Sequence, residues 1–170
     1  AIHETLKTFF DKYKKEEDMD KKSFIELFEY NLNKTPLSSL DYIDSLNKGK
    51  KALEGYFEAY KGAWNRVLLT EYSIRGVHLN VGEFELLLKG QLDKIEFINE
   101  REVNVVDYKT GKRKSNNKEN YHRQLVFYKL LLDLDEKKKY KMRSGELDFI
   151  EPDNKGKYFK SGILLGFSWL

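Results

Sequence analysis

The sequence contains no cysteine among its 170 residues. Disulfides, thiolate nucleophiles, zinc ribbons and iron–sulfur ligation are therefore excluded together, and any metal must sit on oxygen and nitrogen ligands. No apolar run approaches the roughly 18 residues that a membrane span needs. Neither sign of charge dominates, because 31 basic residues stand against 28 acidic ones. That balance is too slight to indicate a nucleic-acid partner by itself.

The length fits one sizeable hydrophobic core, so we expect a single domain over residues 1–170. The given sequence opens on an amphipathic helical pattern, and we do not expect a secretory signal from it, since no basic segment leads into an apolar one. We therefore expect an intracellular, cytoplasmic protein in a prokaryotic-type context. We also expect that the domain is cut from a longer chain.

The first third of the sequence has helical periodicity. Apolar side chains recur at helical spacing over residues 1–13 and 23–33, and each stretch predicts an amphipathic helix. Residues 40–64 predict a third helix, which Gly49 or Gly55 would interrupt. The N-terminal third is therefore predicted to be rich in α-helix.

From residue 65 the pattern changes to that of a sheet. The stretches 67–74, 84–98 and 101–108 are rich in β-branched, aromatic and leucine residues, and polar residues 99–101 between the last two strands suit a hairpin loop. One more helix is predicted at 121–134, with short strand candidates at 145–151 and 161–170. These elements predict an α/β fold with a central sheet.

The hairpin predicted at residues 99–101 brings two carboxylates together. If its loop has an odd number of residues, Asp93 falls directly opposite Asp107, and their Cβ atoms are about 4.5–5.5 Å apart. Strand alternation sends Lys109 to the same side as Asp107. Two carboxylates and a lysine on one face are suited to cleaving a phosphodiester.

Oxygen ligands of this kind suit Mg²⁺ or Mn²⁺, which would polarise a phosphoryl oxygen and lower the pKa of a bound water. His3, at the edge of the first helix, could add a nitrogen ligand, which would tilt the preference toward Mn²⁺. The ammonium of Lys109 would stabilise charge that develops on the phosphate or orient the attacking water. A match of the form Asp-x-Lys is nevertheless common by chance on surface hairpins.

Three segments in order resemble the RecB-like PD-(D/E)XK nuclease family. KGQLDKIEFINEREVNVVDYKTGK, residues 89–112, resembles the core of these nucleases, where a strand with Gly and Asp precedes a V-x-D-[YF]-K-T-G strand end. KENYHRQLVFY then resembles the family helix with a Q-x-x-x-Y motif, matched at Gln124 and Tyr128. AIHETLKTFF resembles the helix that donates a histidine ligand, matched at His3. Glu71 is a weaker match to an acidic residue that precedes the Gly-Asp strand.

The resemblance implies a restriction-endonuclease-like α/β fold with a central mixed sheet flanked by helices. It also implies a metal-dependent DNA nuclease that works with a helicase domain or subunit in DNA repair or recombination. No iron–sulfur cluster is expected, because the cysteines that hold it in some relatives are absent. The implied metal ligands are His3, Asp93, Asp107 and the carbonyl of Tyr108, and the implied catalytic residues are Asp93, Asp107, Lys109, Gln124 and Tyr128.

Basic residues follow the predicted metal strand. Lys112, Arg113, Lys114 and Lys118 would track a DNA backbone. The alternative is that this lysine-rich loop is simply solvated. Two other functions also stay open at this point: a catalytically silent nuclease-like domain that binds DNA or docks a partner, and a small α/β interaction domain whose motif matches arose by chance.

Overall fold

The structure is a computed structural model that describes residues 1–112, 118–137 and 139–164. Helices fill the N-terminal third and strands the middle of the chain, as the periodicity predicts. Within the described residues no helix is both long and apolar enough to cross a membrane. In chain order the elements are α1 (Ile2–Tyr13), α2 (Lys21–Asn33), α3 (Ser39–Tyr60), β1 (Leu68–Val81), β2 (Phe84–Phe97), β3 (Glu102–Lys109), α4 (Lys118–Leu134), β4 (Lys141–Phe149) and β5 (Phe159–Leu164).

The chain divides into two compact units. Unit 1 takes the described residues within Ala1–Arg66, Tyr108–Arg113 and Phe149–Phe159. Unit 2 takes those within Val67–Asp107, Lys114–Asp148 and Lys160–Leu170.

Unit 1 is built on three helices with an aromatic core. The carboxylate of Asp20 accepts a hydrogen bond of 2.8 Å from the backbone N–H of Ser23, and this cap starts α2 two residues earlier than predicted. Ser38 caps α3 in the same way through the N–H of Asp41. The largest buried side chains of this core are Phe9, Phe10, Phe24, Phe28 and Tyr56.

Helix α3 runs without interruption, so the break expected at Gly49 or Gly55 is wrong. Both glycines are places of close packing. A Cβ atom at position 49 would overlap the ring of Phe28, and one at position 55 would overlap the hydroxyl of Tyr158. The helix tolerates two residues of low helix propensity because each lets an aromatic side chain approach its backbone.

The sheet has five strands in the order β1-β2-β3-β4-β5. Strands β1, β2 and β3 form an antiparallel meander, whose first hairpin is much longer than predicted because β1 continues to Val81. Strand β4 runs parallel to β3, since Lys141 N–H donates to the carbonyl of Arg101 and the Ser144 hydroxyl to the side chain of Asn104. The sheet is therefore mixed, and the predicted α/β architecture is confirmed.

Helix α4 packs against the sheet within unit 2. A Cβ atom at Gly90 of β2 would overlap Leu131, and one at Gly145 of β4 would lie 3.0 Å from Leu125. Two glycines thus let the helix approach the strands closely. The last predicted strand is observed as β5, and residues 165–170 of that prediction lie outside the described residues.

Candidate active site

The β2–β3 hairpin sets the relation of the two central aspartates. The Asn99 side chain accepts hydrogen bonds from the backbone N–H of Arg101 and Glu102, at 3.0 and 2.8 Å, and fixes the loop. From this loop the ladder runs in register to Lys94 opposite Val106. Extending this register by one position beyond the last pair would place Asp93 opposite Asp107. The register expected from a three-residue loop is therefore observed.

Two side chains of α4 bind Asp107, which is buried. Gln124 Nε2 and Tyr128 OH donate to the same oxygen, Oδ1, at 2.7 and 2.8 Å. Gln124 Nε2 also donates to the Tyr128 hydroxyl at 2.8 Å, which is possible because residues i and i+4 are neighbours on one helix face. The structure thus brings Gln124 and Tyr128 together on one carboxylate.

The pKa of Tyr128 is shifted by its burial and by the carboxylates near it. Burial raises the pKa of Tyr128, and the negative charges of Asp107 and, more weakly, Asp93 raise it further. The phenol therefore stays neutral and remains a hydrogen-bond donor at any physiological pH. Both aspartates contribute to one negative field, in which a cation would be stabilised.

Glu71 lies between Thr70 and Tyr72 of β1, whose partners on β2 are Lys94 and Leu92, the two neighbours of Asp93. Its backbone φ is 50°, a left-handed conformation that costs free energy for a residue with a side chain. Its carboxylate accepts a hydrogen bond from Gln91. Sequence reasoning had only a weak signal for Glu71 and missed Gln91, although alternation along β2 places Gln91 two residues before Asp93.

Unit 1 carries three more of the predicted residues, His3, Tyr108 and Lys109. The ring of His3 on α1 meets the ring of Tyr108 edge to face, with centroids 6.2 Å apart, and Phe10 stacks on Tyr108 at 6.4 Å. Lys109 ends β3, where its carbonyl accepts a 3.0 Å hydrogen bond from the N–H of Ile150. The four-ligand set of His3, Asp93, Asp107 and Tyr108 stays a prediction.

The donor chemistry of Asp93 and Asp107 fits a hard divalent cation. No group of three or more His, Asp or Glu side chains suited to a metal occurs among the described residues. Two carboxylates are nevertheless the usual protein contribution to a Mg²⁺ site in phosphoryl chemistry, where water and substrate phosphate fill the remaining positions. The acidic pair therefore suits Mg²⁺ or Mn²⁺.

The predicted DNA contacts fall on or beside a part of the chain that the structure does not describe. Lys112 is exposed, and its ammonium donates to Asn154 Oδ1 at 3.2 Å. Arg113 and Lys114 lie outside the described residues, as does the side chain of Lys118. Their role as DNA contacts stays a prediction.

The sequence matches the PD-(D/E)XK nuclease superfamily over residues 1–162, which is nearly the whole chain. The protein belongs to this superfamily, and its mixed sheet with helices is the restriction-endonuclease-like fold that the resemblance implies. The matched range contains every residue of the predicted site.

A solved structure described as the crystal structure of SSO0001 is similar to this chain at 24% identity, with a TM-score of 0.44. The similarity covers 74% of this chain and 54% of that one, so the chain spans about half the length of the solved protein. No curated protein matches the sequence.

Proposed function

We propose that this protein is a divalent-metal-dependent deoxyribonuclease that hydrolyses phosphodiester bonds. The observation that carries the proposal is Asp107, buried and held at Oδ1 by both Gln124 and Tyr128, one register position beyond the last ladder pair and opposite Asp93. Membership of a nuclease superfamily supports the same reaction class.

In this proposal Asp93 and Asp107 hold Mg²⁺ or Mn²⁺, with His3 and the Tyr108 carbonyl as further ligands. When bound, the metal supplies Lewis acidity toward the phosphoryl oxygen and lowers the pKa of the attacking water. Gln124 and Tyr128 orient the Asp107 carboxylate, since hydrogen-bonded outer partners fix the direction of a metal ligand.

Lys109 has a different role from the acidic residues. It follows Asp107 by two positions on the same strand, so alternation directs both side chains toward one face. Its ammonium would stabilise negative charge that develops on the phosphate, or hold the attacking water in line. It acts on the substrate and not on the cation.

The substrate and partners follow from the RecB-like resemblance. Lys112, Arg113, Lys114 and Lys118 would contact the phosphates of single- or double-stranded DNA, since four cations follow the metal strand. We also propose that the domain, residues 1–170 of a longer cytoplasmic chain, works with a helicase in repair or recombination.

The decisive experiment is a cleavage assay on end-labelled single- and double-stranded DNA, with Mg²⁺, Mn²⁺ or EDTA. Wild-type protein should cleave only with a divalent cation. Asp107→Asn should abolish cleavage and weaken Mn²⁺ binding in calorimetry, because one charged ligand is lost. Asp44→Asn is the matched control, since Asp44 is exposed and, among the described residues, pairs with Lys48 one helical turn away.

Two results would defeat the proposal. Cleavage by Asp107→Asn at the wild-type rate would remove Asp107 from the reaction. DNA binding by wild-type protein without any metal-dependent cleavage would identify a catalytically silent, nuclease-like DNA-binding domain instead.

A further inference from the structure

A cleft of about 510 Å³ opens on the β1–β2 hairpin of unit 2, on the N-terminal side of Asp93. Its walls come from two neighbouring strands and carry polar and basic side chains. The lining residues are Ser73, Ile74, Arg75, Lys89, Gly90 and Gln91. None of them belongs to the predicted metal site or to the predicted basic loop.

Two cations face each other in this cleft. Arg75 pairs directly with Lys89 across the antiparallel ladder, so their Cβ atoms are about 4.5–5.5 Å apart. Among the described residues neither side chain takes part in an ion pair, and Arg75 Nε donates a 3.2 Å hydrogen bond to the Ser73 hydroxyl. Like charges directly opposite destabilise a sheet. An anion bound between them would remove that repulsion.

The backbone next to Arg75 is adapted to this arrangement. The ladder shifts its register between Arg75 and Val77, and the extra residue, Gly76, has a φ of 74°. A bulge of this kind turns the strand and re-aims the neighbouring side chain, and bulges are frequent beside active sites. Only a glycine adopts this φ without strain.

The cleft lies at a useful distance from Asp93. Lys89 precedes Asp93 by four residues on β2, which at about 3.3 Å per residue is about 13 Å. Phosphates of one strand of a duplex are spaced about 3.4 Å along the helix axis, so this distance corresponds to about four nucleotides. A DNA strand that runs along β2 with its reacting phosphate at Asp93 would therefore still be passing the cleft.

We propose that Arg75 and Lys89 form a second phosphate-binding site that holds the DNA backbone a few nucleotides from the cleaved bond. The inference rests on the proposed nuclease function for its substrate. Both side chains bind substrate and take no part in the bond-breaking step. Loss of the pair should raise KM and leave kcat close to wild type.

The test uses the double variant R75A/K89A, with R101A/K141A as the matched control. The control also removes two positive charges. Arg101 lies in the β2–β3 hairpin loop and Lys141 begins β4, both away from the cleft and from Asp93. Binding of a fluorescent oligonucleotide is measured in EDTA over a range of salt concentrations, so that no cleavage occurs. The plot of log K against log salt has a negative slope, and each lost phosphate contact reduces the magnitude of that slope by about 0.9 for duplex and about 0.7 for single-stranded DNA.

For R75A/K89A we therefore expect the magnitude of the slope to fall by about 1.8 on duplex or about 1.4 on single-stranded DNA. The control should keep the wild-type slope. A third variant, K89E, separates a loss of DNA binding from a loss of folding. It replaces the like-charge pair of Arg75 and Lys89 with an opposite-charge pair, which should not destabilise the sheet. It should lose affinity while its melting temperature stays equal to wild type or rises.

The outcomes separate the two proposals. A reduced slope in R75A/K89A together with no cleavage by wild-type protein keeps this phosphate site and refutes the nuclease. Metal-dependent cleavage with an unchanged slope and unchanged KM refutes the phosphate site alone. Wild-type protein that neither binds DNA in EDTA nor cleaves it with a divalent cation refutes both.

Discussion

Two charged clusters lie on the strands of unit 2, and consecutive residues of β2 belong to different ones. The acidic cluster contains Asp93 with Asp107, Gln124 and Tyr128. Lys94, the next residue, is fully buried and binds Glu96 at 2.7 Å. The ion-pair cluster is completed by Lys160, which lies 3.0 Å from Glu146 and 3.4 Å from Asp148; its five members are Lys94, Glu96, Glu146, Asp148 and Lys160.

The two clusters differ in the kinds of side chain that contact their carboxylates in the described structure. In the ion-pair cluster the carboxylates meet two ammonium groups, and burial lowers the pKa of Lys94 against the opposing effect of Glu96. In the acidic cluster Asp107 accepts hydrogen bonds from two neutral donors, which orient the carboxylate without cancelling its charge. The carboxylates of the ion-pair cluster thus lie against ammonium groups, whereas Asp107 is oriented by hydrogen bonds from two neutral side chains, as its proposed role as a metal ligand requires.

The largest expected effect concerns the ion-pair cluster. Lys94→Met keeps the volume of the side chain but leaves Glu96 without its buried partner. Removing one member of a buried pair costs about 3–5 kcal/mol, so the free energy of unfolding measured in urea should fall by about that amount. Lys48→Ala, which breaks the exposed pair with Asp44, should not change it measurably. Equal stability of the two variants would show that burial of Lys94 carries no folding role.

Lys109 contrasts with Lys94, because we expect it to affect the cleavage rate and not the stability of the fold. Lys109→Ala should lower the cleavage rate by about 10²–10³-fold, the usual cost of one positioned electrostatic group. Mn²⁺ binding by calorimetry should persist, because the ammonium acts on the phosphate. Cleavage within about threefold of wild type would make Lys109 an ordinary surface lysine.

The donors to Asp107 should have a smaller effect. Gln124→Ala and Tyr128→Phe each remove a hydrogen bond that orients a metal ligand, and such losses cost about 10–100-fold in activity. The fold and the ability to bind Mn²⁺ should persist. If Tyr128 only packs its ring, Tyr128→Phe will be silent. If Gln124 is only structural, Gln124→Ala will lower the melting temperature without changing the activity of the folded fraction.

The smallest effect is a pH dependence of stability from the ion-pair cluster. Burial alone would raise the pKa of Glu96, but the charges of Lys94 and Lys160 outweigh it and hold this pKa below the ordinary 4.5. The unfolded state therefore binds more protons as the pH falls through 4.5, so the stability from Glu96 is present above that value and lost below it.

Urea titrations between pH 6 and 3 measure this loss. Glu96→Gln should be less stable at pH 6 and should show a shallower decline toward pH 3. Asp107→Asn, whose change lies in the acidic cluster, serves as the control and should keep the wild-type decline from Glu96. A decline of unchanged steepness in Glu96→Gln would assign it to other carboxylates.

Local sequence signals predicted the elements of the acidic cluster well. The three-residue loop before Glu102 fixed the ladder register, and the spacing of Gln124 and Tyr128 placed both on one helix face. Both signals depend on geometry within a few residues, namely the alternation of a strand and the turn of a helix. The role of these residues in catalysis remains a prediction.

Contacts between distant segments were not predictable in the same way. Nothing in the residues around Gly49 or Gly55 reveals that Phe28 and Tyr158 occupy the space beside them, so a helix break was the natural reading. The ion-pair cluster was not predicted either. In the sequence Lys94 and Lys160 resemble ordinary surface lysines, and only the sheet places them against Glu96 and Asp148.

The glycine at position 90 has a consequence for the dimensions of the acidic cluster. Leu131 occupies the place where a Cβ atom of residue 90 would lie, and Tyr128 sits one helical turn before Leu131. A single added methyl group would act as a wedge, lifting that turn of α4 away from the strand. The hydroxyl of Tyr128 would then move away from Asp107. The distance between this hydroxyl and the carboxylate therefore depends on the absence of a Cβ atom at residue 90.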